Sequence, residues 1–484
     1  MNSGTNPRLG IYSSIAGSIG SGLLWLISFK LVATWLGPEG VGLFSQIRQI
    51  IQASTVSATF GGSNLMVQGI AAEPQESSRR QLRVTAARLI GLTGLLCVML
   101  IIFTAPQLAH FFFSSTVLDA EMAVYWIALA VALSIASTYA LGVINGYRSY
   151  VHLALTQVAG PMVLAVVIAT FWWQGLAFDA TLLVQCFVVC FGITFTLGML
   201  GMPRQAQEYR AMKRVALPRV QRLRFFRLAA ANLLGALSGT LALLLIRSWI
   251  INEHGLDFAG LFDAGWTLTF NYATVFLAAC NAFYLPTLSA AIKPEEQRVC
   301  VLKMAYLVLG VCTTIFYTLV LFSKPFISLL YSAQFHPAAE ALRVLAIAVV
   351  FRSVSWVYGS VIFATRQSLT LVSSELALNA TLLATALYAL DHDLATLRGI
   401  SWAFVLTHFL YLVFTVEYAH AKNKSLRRID IWPLLLAAIL PFLYIAEFPS
   451  GVQKSYFSVA QWFFLFSGLA TSSATWFAYR RTHL

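Results

Sequence analysis

The sequence predicts an all-α integral membrane protein of fourteen transmembrane helices, arranged as two pseudo-symmetric six-helix lobes plus two C-terminal helices. Three observations lead there. The 484 residues are 59% hydrophobic and only 11% charged, with a mean hydropathy of +0.75, well outside the proportions of a water-soluble domain. The apolar residues come in long unbroken runs, where a β-barrel would show short alternating strands. At roughly 20 residues per span, the length holds about a dozen to fourteen helices.

Taken in order, the apolar runs place spans at about 9–36, 40–70, 84–105, 120–147, 150–174, 180–202, 225–250, 258–289, 300–323, 338–365, 367–390, 396–419, 431–446 and 456–478. The first run, starting near Leu9, is too long for a signal-peptide core and is not followed by a small-residue cleavage site, so it reads as a retained span. Spans 1 and 2 meet in a very short turn, Gly37-Pro38-Glu39-Gly40. The longest connection is the basic stretch 203–224, and every other connection is short.

A net charge of +13 would suggest nucleic acid in a soluble protein, but here its distribution decides. Of the 32 Lys and Arg residues, 24 fall at one set of alternate connections, including Arg79, Arg80, Arg83 and Arg88 and the eight from Arg204 to Arg227; only Lys324, Arg398 and Lys454 fall at the other. The positive-inside rule then places both termini in the cytoplasm. The opposite connections carry acids such as Glu39, Asp257 and Asp391, and aromatic residues such as Trp35, Trp172, Trp173 and Trp249 mark the outer span ends.

Comparison of the chain with itself shows an internal repeat. Gly37, Gly42, Leu43 and Phe44 reappear as Gly255, Gly260, Leu261 and Phe262, an offset of 218 residues, and Val143, Ile144 and Arg148 reappear as Val361, Ile362 and Arg366 at the same offset. Six spans per repeat is an even number, so the halves share one orientation. The expected organisation is an N-terminal lobe at 1–203 (spans 1–6), a basic cytoplasmic linker at 204–224, a C-terminal lobe at 225–420 (spans 7–12), and spans 13 and 14 within 431–478.

Five cations are not explained by the connections: Lys30, Arg48, Arg247, Arg343 and Arg352. A charged side chain at membrane depth costs at least about 2.5 kcal/mol, so it faces a wet cavity or a partner, or snorkels to the interface when near a helix end. Snorkelling suits Lys30, Arg247 and Arg343; Arg48 and Arg352 lie deeper and are the stronger candidates for lining a cavity. The acids within reach of membrane depth are Asp263, for which Arg247 across the 7/8 turn is the obvious structural partner, and Glu375, with Glu417 near an inner helix end. A cationic balance suits an anionic ligand such as a phosphate or an acidic sugar, because Arg pairs with phosphate oxygens in a bidentate fork.

Other signals are weaker. The run Tyr284-Leu285-Pro286-Thr287-Leu288-Ser289 marks either a kink or the end of span 8. His408 is a lone histidine within span 12. The six cysteines lie in or beside apolar runs and read as packing residues. No Walker A, G-x-S-x-G, H-E-x-x-H or metal-ligand pattern occurs, so no metal or cofactor is expected.

The span 1/2 hairpin K-L-V-A-T-W-L-G-P-E-G-V-G-L-F-S-Q-I-R-Q-I and the Y-L-P-T-L-S run, on two six-helix lobes with two added helices, resemble the Wzx-type O-antigen flippases. These form the polysaccharide-transport branch of the multidrug/oligosaccharidyl-lipid/polysaccharide exporter superfamily. The resemblance implies a flippase that moves undecaprenyl-diphosphate-linked oligosaccharide from the cytoplasmic to the periplasmic leaflet of the bacterial inner membrane. It implies alternating access through a cationic cavity lined by spans 1, 2, 7 and 8, with Arg48 matching the family's span 2 arginine. It further implies a monomer working beside membrane lipid and the polysaccharide polymerase machinery, and leaves coupling to a proton or sodium gradient, through Asp263 or Glu375, open. A lipid II flippase shares the helix count and cationic cavity. A drug/cation antiporter usually has twelve helices and buried carboxylates, and a membrane glycan polymerase or glycosyltransferase usually has a sizeable periplasmic loop.

Overall fold

The structure is a computed structural model that describes residues 7–61, 66–67, 70, 75–113, 120–175, 180–202, 219–291, 293–364, 367–392, 396–427 and 430–447. Among these residues every long element is a helix. In chain order they are α1 (Pro7–Ala58), α2 (Glu76–Phe103), α3 (Ala105–Phe112), α4 (Ala120–Gly146), α5 (Tyr150–Gln174), α6 (Ala180–Leu200), α7 (Arg219–Trp266), α8 (Tyr272–Ala290), α9 (Pro294–Leu321), α10 (Ser323–Leu330), α11 (Ala338–Ala364), α12 (Ser368–Leu390), α13 (Leu397–Lys422) and α14 (Trp432–Glu447). A π-helical turn, Thr267–Asn271, joins α7 to α8. Among the described residues, ten helices are long and apolar enough to cross a membrane, and the fold is all-α and multi-pass. Span 14 and most of the basic linker lie outside the described residues.

Two helices are each two spans in length, and one glycine breaks each of them. Gly37 takes φ 65° and ψ −159° inside α1, and Gly255 takes φ 82° and ψ 174° inside α7. Only glycine visits that region without penalty, so a single residue reverses the chain where other sequences need a loop. Pro38 then occupies the first helical position after the break, where its missing N–H costs nothing.

The repeat is registered to the residue. At the offset of 218 that relates Gly37 to Gly255, α2 from Glu76 to Phe103 maps onto α9 from Pro294 to Leu321, α3 onto α10, and α4 onto α11, each with identical ends. α5 and α12 begin at matching positions, and α6 and α13 within one residue of each other. The short helices α3 and α10 had no counterpart in the predicted spans. At eight residues they are too short for a hydropathy window to separate from the spans before them.

By its contacts the chain divides into two compact units, Met1–Gly260 and Leu261–Leu484. The first unit takes in α7 as far as Gly260. Within that unit α4 packs between α1, α2 and α6. Backbones also touch: a Cβ on Gly42 would stand 2.3 Å from the Leu256 carbonyl oxygen, and one on Gly260 would stand 1.9 Å from that of Pro38. Within the second unit α11 holds the corresponding centre, against α9, α12, α13 and α14. Its run of Ala, Val, Ile and Leu on every side is what a helix enclosed all round requires.

One region differs from its predicted form. Span 3 was expected from residue 84, yet α2 begins at Glu76, so Arg79, Arg80 and Arg83 belong to its first turns and not to a connection. Arg79 and Arg83 stack on the Tyr147 ring at 5.7 and 5.4 Å, which lets cations continue a helix at its polar end. The Tyr147 hydroxyl donates to Glu76 Oε1, and burial together with that carboxylate pushes the phenol above its usual range. At the foot of α9, Arg298 reaches the Asp430 carboxylate at 3.3 Å, while Tyr306 donates to the Asp430 carbonyl at 3.0 Å and Tyr317 to that of Ala438. These bonds fasten α14 to the second unit.

Candidate functional site

Each unit builds a nest of aromatic rings with one arginine over it. In the first unit the limb of α1 after Gly37 carries Phe44, whose ring lies 4.9 Å from Phe29 on the limb before the break and 4.9 Å from Phe187 on α6. Trp25 closes the nest at 6.3 Å from Phe44. Arg48, one turn beyond Phe44, lays its guanidinium 4.8 Å from the Phe29 ring centre and 5.9 Å from Trp25. The ring faces supply negative potential to this half-exposed cation.

The residues beside Arg48 do something else. Gln46 is fully buried and donates to Ser248 Oγ at 2.8 Å and to the Phe112 carbonyl at 3.3 Å. Gln49 accepts from Arg247 Nη1 at 2.9 Å and donates to the Thr240 carbonyl at 3.0 Å. At 100° per residue, Gln46 and Gln49 lie 60° apart on the helix, whereas Arg48 points well away from both. The run Ser45-Gln46-Ile47-Arg48-Gln49 therefore serves two purposes, a polar seam to α7 on one face and the aromatic nest on another. Arg247, 2% exposed, belongs to the seam. Lys30 is exposed, on the limb before the break.

In the second unit the nest is Phe262, Trp266, Phe270 and Phe404. Phe262 and Phe404 lie 5.8 Å apart, the counterpart of Phe44 and Phe187, and Trp266 stacks on Phe270 at 4.0 Å. Here the arginine comes from α11: the Arg352 guanidinium lies 5.1 Å from the Phe270 ring centre. Phe270 sits in the π-helical turn, a local widening that occurs often at functional sites. His408 packs 5.3 Å from the same ring. Its Nδ1 stands 2.8 Å from the Phe404 carbonyl, which can only accept, so Nδ1 carries the proton and Nε2 is the acceptor.

Glu375 on α12 accepts from the Tyr411 hydroxyl at 3.1 Å, and its charge reaches Arg352. The unit thus sets Arg352 and His408 against Phe270, with Glu375 and its partner Tyr411 within electrostatic reach of Arg352. Arg343 is half-buried, nine residues nearer the start of α11 than Arg352 and so about 13 Å away along the axis, with Glu340 as the acid nearest to it in charge. Asp263, 1% exposed, lies beside Phe262.

The two nests share a scaffold and differ in where charge is placed. The repeat positions of Arg48 and Arg247 are Trp266 and Phe29, that of Lys30 is Ser248, and that of Arg352 is Ser134, which bonds Thr55 at 2.9 Å. Sequence reasoning singled out the arginines by charge at depth, but it missed the rings beneath them and the two glutamines. The i, i+3 spacing of Gln46 and Gln49 was the signal that could have found the seam.

No family model and no curated protein sequence matches the chain. Solved structures do. An inward-facing multidrug resistance MATE family transporter of the MOP superfamily aligns with a TM-score of 0.68 at 16% identity, over 85% of this chain and 98% of that one. The lipid II flippase MurJ, in an inward closed conformation, aligns with a TM-score of 0.65 at 11% identity, over 96% of this chain and 98% of that one. A MOP superfamily transporter from Pyrococcus furiosus, whose binding pocket is described as of reverse polarity, aligns with a TM-score of 0.63 at 17% identity, over 87% of this chain and 95% of that one. At these identities the likeness is one of fold.

Proposed function

We propose that this chain is a flippase of the MOP superfamily that moves an undecaprenyl-diphosphate-linked oligosaccharide, an O-antigen or related polysaccharide repeat unit, from the cytoplasmic to the periplasmic leaflet of the bacterial inner membrane. The observation that carries this reading is the pair of arginines, Arg48 and Arg352, held at membrane depth over aromatic faces. A diphosphate carries the negative charge that guanidinium groups bind, and planar bidentate pairing suits its oxygens. Aromatic rings beside them offer flat apolar surfaces on which sugar faces can stack. The polyprenyl tail stays in hydrocarbon while the head group is carried through by alternating access. Both termini lie in the cytoplasm on this reading.

A lipid II flippase is the second reading, favoured by one observation: MurJ aligns over 96% of this chain, against 85% for the MATE transporter. The two substrates share the diphosphate and differ in the sugar, so the arginines serve either one. Coupling to a proton or sodium gradient would use Glu375 or Asp263, the acids nearest the second nest.

The test is transport in proteoliposomes of a fluorescent undecaprenyl-diphosphate oligosaccharide and of lipid II, followed by quenching of the label in the outer leaflet. Wild type is expected to move the oligosaccharide lipid, and Arg48→Ala and Arg352→Ala to lose that movement while remaining folded. Normal transport by both variants would remove the arginines from the site. Transport of lipid II alone would select the second reading, and elongation of the glycan without movement would replace both.

A further inference from the structure

The last turns of α8 and the first four turns of α9 enclose a groove that neither aromatic nest uses. Its volume is about 490 Å³, within the range of small-ligand sites. Tyr284 and Thr287 of α8 form one wall, and α9 forms the other with Glu296, Cys300, Lys303 and Leu307 on a single helical stripe. Tyr284 donates to the Val357 carbonyl at 2.9 Å, which fixes that wall on α11. The chemistry changes in order along α9. Glu295 and Glu296 are exposed at the helix start, Lys303 follows seven residues later, about 10 Å further along the axis, and Met304 and Leu307 line the far end.

That sequence of charges is the mirror of one lipid head group. We propose that this groove binds a phospholipid whose head carries a primary ammonium above its phosphate, as phosphatidylethanolamine does. The ammonium meets Glu295 and Glu296 at the membrane surface, Lys303 meets the phosphate beneath, and one acyl chain lies along Val299, Met304 and Leu307. The lysine stem is long enough to raise its ammonium toward the phosphate level. The carboxylates have room for the ligand: Glu296 lies 3.9 Å from Lys293 and Glu295 lies 2.9 Å from Arg298, and each carboxylate accepts at about four lone-pair positions.

The same arrangement discriminates among lipids. An anionic head without an ammonium brings no cation to the two carboxylates, whose neighbours are Lys293 at 3.9 Å and an Arg298 shared with Asp430. A choline head has no N–H to donate to the carboxylates. The order of preference is therefore ethanolamine over choline and over glycerol head groups. This site is independent of the transport reading, since it uses no residue of either nest.

The experiment is native mass spectrometry of the full chain in detergent, titrated separately with dioleoyl phosphatidylethanolamine, phosphatidylcholine and phosphatidylglycerol. The expected result is a single ethanolamine-lipid adduct at least fivefold more abundant than either other lipid. Lys303→Gln and the double change Glu295→Gln with Glu296→Gln should each reduce it to the choline level, while Arg398→Gln, on α13, leaves it intact. A second measurement needs no substitution: the ethanolamine lipid should slow alkylation of Cys300, half-buried in the groove, at least threefold relative to the choline lipid. Equal binding of the three lipids, a preference for phosphatidylglycerol, an adduct unchanged in the groove variants, or Cys300 alkylated at one rate in both lipids would each overturn the proposal.

Discussion

Arg247 is buried to 2% exposure and its Nη1 donates to Gln49 Oε1, so the acceptor matters as much as the cation. Leaving a buried donor without its acceptor costs about 1–3 kcal/mol, and more when the donor is charged. Gln49→Leu is expected to lower the thermal unfolding midpoint in detergent, with Arg247→Met, which removes the charge itself, lowering it less when combined with Gln49→Leu than the two losses added; additive losses would mean the two side chains act separately. The arginines over rings are predicted to behave differently. Arg352→Ala should leave the unfolding midpoint within a few degrees of wild type yet cut transport by about tenfold to a hundredfold, the value of one charge-assisted hydrogen bond to substrate. A fall in midpoint that accounts for the lost transport would make Arg352 a packing residue. The charged residues could be picked out of the sequence because charge is rare in apolar runs. The glutamines and rings could not, since an uncharged amide at membrane depth looks like any polar interruption and hydropathy scores a ring in a nest and a ring in lipid alike.

At the scale of elements, the two broken helices depend on glycine for a reason that no neighbour supplies. Gly37 and Gly255 hold positive φ with ψ near extended values, and a side chain there is strained whatever the space around it. Gly37→Val and Gly255→Val are each expected to cost about 1–3 kcal/mol and to reduce the yield of folded protein. Gly22→Ala, on the exposed side of α1 with open space around a Cβ, should be neutral or slightly stabilising. Equal behaviour of all three variants, measured by fluorescence-detected size exclusion after heating, would contradict this account. The Gly-Pro turn and its repeat copy were visible in the sequence because a shared offset needs no knowledge of structure. The π-helical turn under Phe270 was not, because nothing in Thr267-Leu268-Thr269-Phe270-Asn271 departs from ordinary helix composition.

For the whole molecule, the fold class and the two matched halves could be read from hydropathy and self-comparison, since twenty-residue apolar runs leave the chain few alternatives. The orientation argued from basic residues has its own test. In a chain with its native cysteines replaced, an impermeant maleimide applied to intact cells is expected to label Lys324→Cys and Arg398→Cys and to leave Lys424→Cys unlabelled until the membrane is opened; the reverse pattern would invert the topology.

The agreement of element ends across 218 residues has a consequence for how such a molecule could arise. Two halves of equal length, ending and turning at the same places, are what duplication and fusion of one ancestral gene would leave. Two separate identical copies must carry every substitution twice, so an arginine at one seam would oblige another at the matching place. Once joined, the copies could part: one kept Phe29 where the other has Arg247, and one kept Ser134 where the other has Arg352. Fusion thus permits two halves of unlike charge, because a change in one no longer has to be a change in both.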